Sequence, residues 1–570
     1  MNSWPDNCMF MFISRGVIML KVTQKELNKA FQALARKDFI RATKSYEKLY
    51  SIDKKHHQIL GNLAYCYDAI GRYEDFFNIS IEALTYYPKD LSLIQKAAVA
   101  EHKLGRHRAA YDRLLNCIET HGLTYETAMN MCTVVGELGM NKEGLKYAIE
   151  AVNLRPDSAA AHNNLGAVFL TMNRQNDAII CFETALLLDK KNVNAYVNIG
   201  VIYNKQGVHE KAIHNFLLAL NYVSPTDSFE INRIKFFLGL SQLAVGQLKE
   251  GWENYEAGWL LKTGNARNPQ RTFEKDRWTG QVLGKKRLLV WREQGLGDEI
   301  FFMSAIPYLL KSEPNVDLIV ECDPRLIEVV QRSFPTATVR SQQYYATVPY
   351  KPLRDDYDFQ IPVGSLFAHY HQDIGSFKDS APYLKVSKES KTLFNDRLGD
   401  RNSSLRVGIC WRSGLIDASR NHHYSALSDW GSVFKVPNIQ FVNLQYGDTR
   451  NEVSNAEVEF GVSLNSWSDI DRKNDLDNLS ALISTLDLVI SVGTAVAQIS
   501  AAVGVPVWFL HVTQDWPQFG QSSYPAYPNV QMLRAPLGGG VVDLLHSLVP
   551  KQLAELQQKN VAWSQATNAV

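Results

Sequence analysis

The sequence carries no excess of charge: 60 Lys plus Arg against 59 Asp plus Glu leave a formal +1. That balance removes a global attraction to nucleic acid or to an anionic membrane surface, so neither is an expected partner. Cysteine is sparse and scattered. Seven thiols (Cys8, Cys66, Cys117, Cys132, Cys181, Cys322, Cys410) form no C-x-x-C pair, which argues against a disulfide framework or thiolate zinc site and for reduced thiols in a cytoplasmic protein. The motifs GxxxxGK[ST], HExxH and GxSxG are also missing, which disfavours NTPase, zinc-hydrolase and α/β-hydrolase readings. Two apolar stretches fall short of membrane elements. Cys8–Leu20 is short, broken by Arg15 and lacks a basic leader, so it reads as part of an N-terminal extension over residues 1–23. Leu486–Val512 is long enough to span a bilayer, but Asp487, Gln498, two glycines and Pro506 divide it into strand, turn, helix, turn and strand, a buried βαβ unit. No membrane insertion is expected.

What is present is ample apolar material, 45% hydrophobic and 11% aromatic over 570 residues, enough for about four folding units. The first half repeats itself every 34 residues. Gly71, Gly105, Gly139 and Gly207 keep that interval, with Asn173 in the vacant slot. Small residues recur at the same interval (Ala30, Ala64, Ala98, Cys132, Gly166, Gly200), and Pro88 and Pro156 lie two periods apart. Such a pattern predicts two helices per unit, brought close by the small residues and separated by a turn glycine.

These positions resemble the tetratricopeptide repeat, most clearly at 158–191 and 192–225, and predict an α solenoid over residues 24–262. The resemblance implies a concave face that binds polypeptide. Asn62, Asn130, Asn164 and Asn198 occupy one slot of the period, with Lys96 in the remaining one. An amide both donates and accepts, so a ladder of amides can hold a peptide backbone without reading its sequence. The array resembles the asparagine ladder of O-GlcNAc transferase. The alternative is that asparagine is merely tolerated on an exposed inner helix.

Past residue 265 the period vanishes and short apolar runs alternate with helical patterns. Strands are expected at 286–291, 316–321, 357–362, 405–411, 439–444, 486–491 and 505–511, with polar links near 265–278 and 385–404. Two Rossmann-like domains follow from this alternation, at 263–390 and 391–570. The segments VWREQGLGDEIFF, LIVECDPRL, APYLKV, LRVGICWRSG, FVNLQYGD and LDLVISVGTAVAQISAAVGVPVWFLH, in this order, resemble bacterial proteins that join tetratricopeptide repeats to a heptosyltransferase-like GT-B glycosyltransferase region. Flagellin-modifying glycosyltransferases share the arrangement. The resemblance implies a nucleotide-sugar donor, a protein acceptor such as flagellin, donor binding on the second Rossmann-like domain, and acceptor binding on the first.

Transfer of a sugar requires a base for the acceptor hydroxyl and neutralisation of the leaving phosphate. Asp298 matches the candidate base of that family, beside Gly295 and Gly297, which would admit the acceptor closely; alternatively it caps its helix. The turn Ser491, Gly493, Thr494, Ala495 offers free N–H groups to a donor phosphate. Relatives commonly have an aspartate at the position of Gly493 and a histidine at that of Gln498, so a different donor, or lost activity, is an open alternative. Arg412, Ser413 and Gly414 match the family's phosphate-facing loop, and Arg420 is a second cation; either arginine is otherwise a solvated surface charge. Gln445 and Tyr446 would meet the base or ribose, Tyr446 by stacking or merely by covering the core. The DxD pairs Asp356/Asp358 and Asp475/Asp477 read as structural, so no metal and no cofactor is expected. The leading expectation is a cytoplasmic, metal-independent glycosyltransferase acting on Ser/Thr of a protein. A catalytically silent repeat adaptor and a lipopolysaccharide-type glycan transferase are the alternatives.

Overall fold

Each 34-residue unit forms a helix pair because its small and bulky positions are complementary. A computed structural model describes residues 25–261, 267–342, 351–400, 404–414, 423–536 and 538–567; the 1–23 extension lies outside them. Two compact units divide the chain, residues 1–198 and 199–570.

In the first unit the leading helices of successive repeats include His57–Ala69, Leu91–Lys103, Tyr125–Glu137 and Ala159–Thr171, each followed by a partner such as Tyr73–Tyr86 or Gln175–Leu188. Gly166 faces the Phe182 ring so closely that a Cβ there would lie 2.6 Å from Cε1. The turns between paired helices need a left-handed residue. Gly71, Gly105 and Gly139 supply φ of 76°, 74° and 71°, and Lys37 and Asn173 occupy the same slot at 58°, an angle asparagine accepts more readily than most residues. Asp38, Asp90, Thr124 and Ser158 cap helices by accepting from backbone N–H groups.

In the second unit the helical period continues through His209–Tyr222, Ser228–Ala244 and Leu248–Tyr255. Here the helices meet the α/β layers. Trp252 packs edge-on against Phe367, Trp516 and Phe519 and donates its indole N–H to His371 O at 2.7 Å. In the stretch expected to be a polar connector Thr272, Glu274, Lys275 and Asp276 are exposed, but two arginine side chains turn into the interior. Arg267 is fully buried and held by Glu293, Glu256 and Ser365, and buried Arg271 pairs with Glu321 at 2.9 Å. Its charges are structural because each guanidinium meets a carboxylate out of water.

Two all-parallel sheets follow. The first is β1 (Arg287–Trp291), β2 (Asp317–Cys322), β3 (Thr338–Ser341) and β4 (Phe359–Pro362), in the order β3-β2-β1-β4. The second is β5 (Leu405–Cys410), β6 (Ile439–Asn443), β7 (Leu464–Asn465), β8 (Leu488–Ser491), β9 (Val507–His511) and β10 (Val530–Arg534), in the order β10-β9-β8-β5-β6-β7. Both orders run outwards from their first strand in two directions, so each sheet has a switch point, between β1 and β4 and between β5 and β8. The 486–512 stretch is the βαβ unit β8, helix Ala495–Val503, β9. No helix among the described residues is long and apolar enough to cross a membrane. The six described cysteines are buried and unbridged.

Candidate functional site

A cleft of about 690 Å³ opens where the carboxyl ends of the two sheets face one another. Its walls come from the segments that follow β1, β2, β5, β6, β7, β8 and β9, which is where ligands bind in open parallel sheets. The turn after β1 is rigid from below: the Glu293 carboxylate is buried, accepts from Gly364 N at 2.7 Å and is clamped by Arg267. Arg292 bridges Glu299 and Asp323, both at 3.0 Å.

On that turn starts the helix Leu296–Met303, with Gly295 as its cap and Asp298 in its first turn. Asp298 has both a capping contact and a place on the cleft wall. Its Oδ2 accepts from Gly295 N at 3.3 Å, and the same side chain borders the cleft. Its carboxyl reaches the water of the cleft, yet desolvation by the enclosing walls raises its pKa above the ordinary carboxylate value. Gly297 borders the cleft opposite the Ala495 backbone, whereas Gly295 serves the helix cap rather than the cavity wall.

On the opposite wall Ser413, Gly414, Tyr446, Gly493, Thr494 and Ala495 come together. Tyr446 accepts from Gly414 N at 2.9 Å through its hydroxyl, which ties the loop after β5 to the loop after β6. Thr494 holds the N-cap position of the helix Ala495–Val503 without a side-chain capping bond, and Ala495 and Val496 of its first turn line the cleft. Three expected donor contacts sit elsewhere. Arg412 is turned away and paired with Glu452, because that carboxylate also accepts from Trp411 Nε1 at 2.8 Å and fixes the loop. Gln445 is fully buried and staples the β5 loop, accepting from Trp411 N and Arg412 N at 3.0 Å each. Ser491 is fully buried and spends its hydroxyl on Val492 O at 2.8 Å. Arg420 lies outside the described residues.

Among the described residues the cations that line the cleft are Arg325, Arg472 and Lys473. Arg472 stands out because its donors reach only neutral acceptors, Gln445 O at 3.1 Å, Trp467 O at 3.0 Å and Ser466 Oγ at 3.0 Å. Burial lowers its pKa, and it has no carboxylate partner among the described residues. Arg325 pairs with Asp323 and donates to Lys473 O at 3.0 Å. Sequence reading missed these cations because no motif marks them: Arg472 and Lys473 precede the helix Leu476–Ile483 in a stretch that reads as a helix start. All four DxD carboxylates have structural partners. Asp356 pairs with Arg340 and Asp477 with Arg332, while Asp358 accepts from Arg287 N and Asp475 from Asn478 N.

In the repeat unit, Asn62, Asn130, Asn164 and Asn198 are half-buried at one slot of successive leading helices. Their amides are not equivalent. Asn62 donates to the Tyr46 hydroxyl at 2.9 Å, Asn198 to Asn163 Oδ1 at 3.3 Å, and Asn164 points at Met129 Sδ at 3.6 Å.

Comparison with known proteins agrees with the helical half. A tetratricopeptide repeat model matches residues 159–192 and 193–222. Protein FlbA of Caulobacter vibrioides is 29% identical over 524 residues, 89% of this chain and 86% of FlbA. A tetratricopeptide repeat protein from Parabacteroides merdae is 18% identical, covering 39% of this chain and 84% of its own, with a TM-score of 0.36. A thermophilic repeat protein of Thermus thermophilus is 19% identical, covering 32% and 99%, with a TM-score of 0.31. The chain therefore carries tetratricopeptide repeats, joined to two parallel α/β sheets, and is similar to FlbA through both halves.

Proposed function

We propose that the chain is a metal-independent GT-B glycosyltransferase that moves a sugar from a nucleotide donor to Ser or Thr hydroxyls of a protein. Flagellin is the acceptor that the family resemblance favours, docked by the repeats in the cytoplasm. One observation carries the reading: Asp298 and a set of cations border the same cleft at the switch-point ends of two parallel sheets. In the transfer Asp298 takes the proton from the acceptor hydroxyl as its oxygen bonds to the anomeric carbon, and the bond from that carbon to the phosphate oxygen breaks. The departing phosphate gains charge, which Arg472, Lys473 and the N–H groups opening the Ala495–Val503 helix would neutralise. In this arrangement Arg472 takes the role that sequence resemblance gives to Arg412.

Asp298→Asn preserves an acceptor for Gly295 N while removing the base. Transfer to flagellin, followed by intact mass, should fall by about 100-fold or more with an unchanged melting temperature. Full activity in that variant would reduce Asp298 to a helix cap. The adaptor reading draws on the Arg412–Glu452 pair and the absent side chain at Gly493. A thermal-shift series with UDP, GDP, ADP and CMP separates the two, since a nucleotide that binds only the folded chain raises its melting temperature. No shift with any of them, in wild type as in Arg472→Ala, would favour the adaptor.

A further inference from the structure

The cleft has two chemically different ends. Around Tyr446 lie Gly414, Arg472, Lys473 and Arg325, linked through Gln445 O and Lys473 O into one cationic group. Around Tyr524 lie Asp298, Gln498, Asp515 and Trp516, with Gln498 Nε2 donating to the Tyr524 hydroxyl at 3.1 Å. Among the described residues no cation lines the cavity beside the second group, and Arg534 at the end of β10 is the cation that acts on Asp515 from outside that lining. One polar atom there is underused: Gln498 Oε1 is sheltered from solvent with no hydrogen-bond partner among the described residues, and the Asp515 carboxylate is exposed to the cleft. The Asp515 backbone N–H is met by Gln518 Oε1 at 3.1 Å. Phe301, Phe509 and Trp516 complete this end with aromatic carbon.

An ionised carboxylate and a bare amide oxygen are acceptors only. They suit a ligand rich in hydroxyl or ammonium donors whose C–H faces lie on aromatic rings, and they repel a second carboxylate. We propose that this end of the cleft is the sugar subsite, that Asp515 with Gln498 selects a neutral or amino sugar over an acidic one, and that Asp515 is a specificity-determining residue. The inference rests on the glycosyltransferase reading and adds the class of donor sugar. Desolvation by the cleft walls pushes the Asp515 carboxyl up to about 6 against the opposing pull of Arg534, so it still accepts at neutral pH and loses that ability in mild acid.

Isothermal titration of the full chain tests it with UDP, GDP and CMP and with UDP-N-acetylglucosamine, GDP-mannose, UDP-glucuronate and CMP-N-acetylneuraminate as probes. The expected result is a neutral-sugar conjugate binding at least fivefold tighter than its bare nucleotide, with no such gain for the two acidic sugars. Asp515→Asn should erase the gain and leave the bare nucleotide unaffected; Asp515→Ser repeats the test if the first variant melts early. A gain that survives in a folded Asp515 variant, an acidic conjugate that outbinds the neutral ones, or nucleotides that bind while no conjugate improves on them would each overturn the sugar subsite alone. Failure of every nucleotide to bind would overturn the transferase reading, and this inference with it.

Discussion

His371 shows how one side chain ties stability to pH. Its ring stacks on Phe377 at 4.1 Å, with Phe367 at 4.5 Å and Tyr308 at 4.8 Å, and burial pulls its pKa down to about 3. In the unfolded chain a histidine titrates near 6.5. The unfolded state therefore binds the extra proton first, and the stability linked to His371 is lost as pH falls from about 6.5 towards 3. Between pH 7.5 and 5 that loss is about 2 kcal/mol. Asp515 and Glu299, pushed up to about 6 and about 7, act in the opposite sense, so the whole-protein curve is flatter than any single group's. His371→Gln should be less stable than wild type at pH 7.5, and urea melts should show the gap closing by about 2 kcal/mol at pH 5. A gap independent of pH would mean that His371 titrates normally.

At the scale of the element, the repeat pairs are held by volume exchange sixteen positions apart. Gly166 meets Phe182 and Gly200 meets Phe216. Gly166→Ala puts a methyl into the Phe182 ring, and the expected cost is about 1–3 kcal/mol. Phe182→Leu in the same chain should recover part of it, which a double-mutant cycle measures; additive losses would show that the two positions do not touch. The same scale explains what was legible. The turn slot could be read off the period, including Asn173, because left-handed φ restricts residue choice. Strands β3, β7 and β10 escaped because they are short or edge strands with partly exposed faces, so TVRS, LN and VQMLR lack the continuous apolar run of buried parallel strands.

For the whole of the second unit, the two sheets are not independent. One apolar cluster runs from β1 and its helices through Trp252 to the helix Ala495–Val503 and Phe519. Tyr383 and Tyr527 both donate to Ile300 O, at 2.6 and 3.2 Å, and the Arg332–Asp477 pair spans the same junction. Removing Trp252, which is almost fully buried and touches both sides, should cost about 3–5 kcal/mol. Hydrogen exchange on Trp252→Ala should then weaken protection in β1 and β8 together. Loss confined to one sheet would show two separate cores.

The repeat period, the alternation of strand and helix and the Asp298 turn are local properties, written in residue spacing and backbone preference, and so the sequence by itself determined them. Which charges face the cleft was decided only by the tertiary structure. Arg412 and Arg472 look alike as residues, but Glu452 pairs with one, while the donors of the other reach neutral oxygens among the described residues. The fate of a guanidinium depends on partners far away along the chain, and no spacing records them.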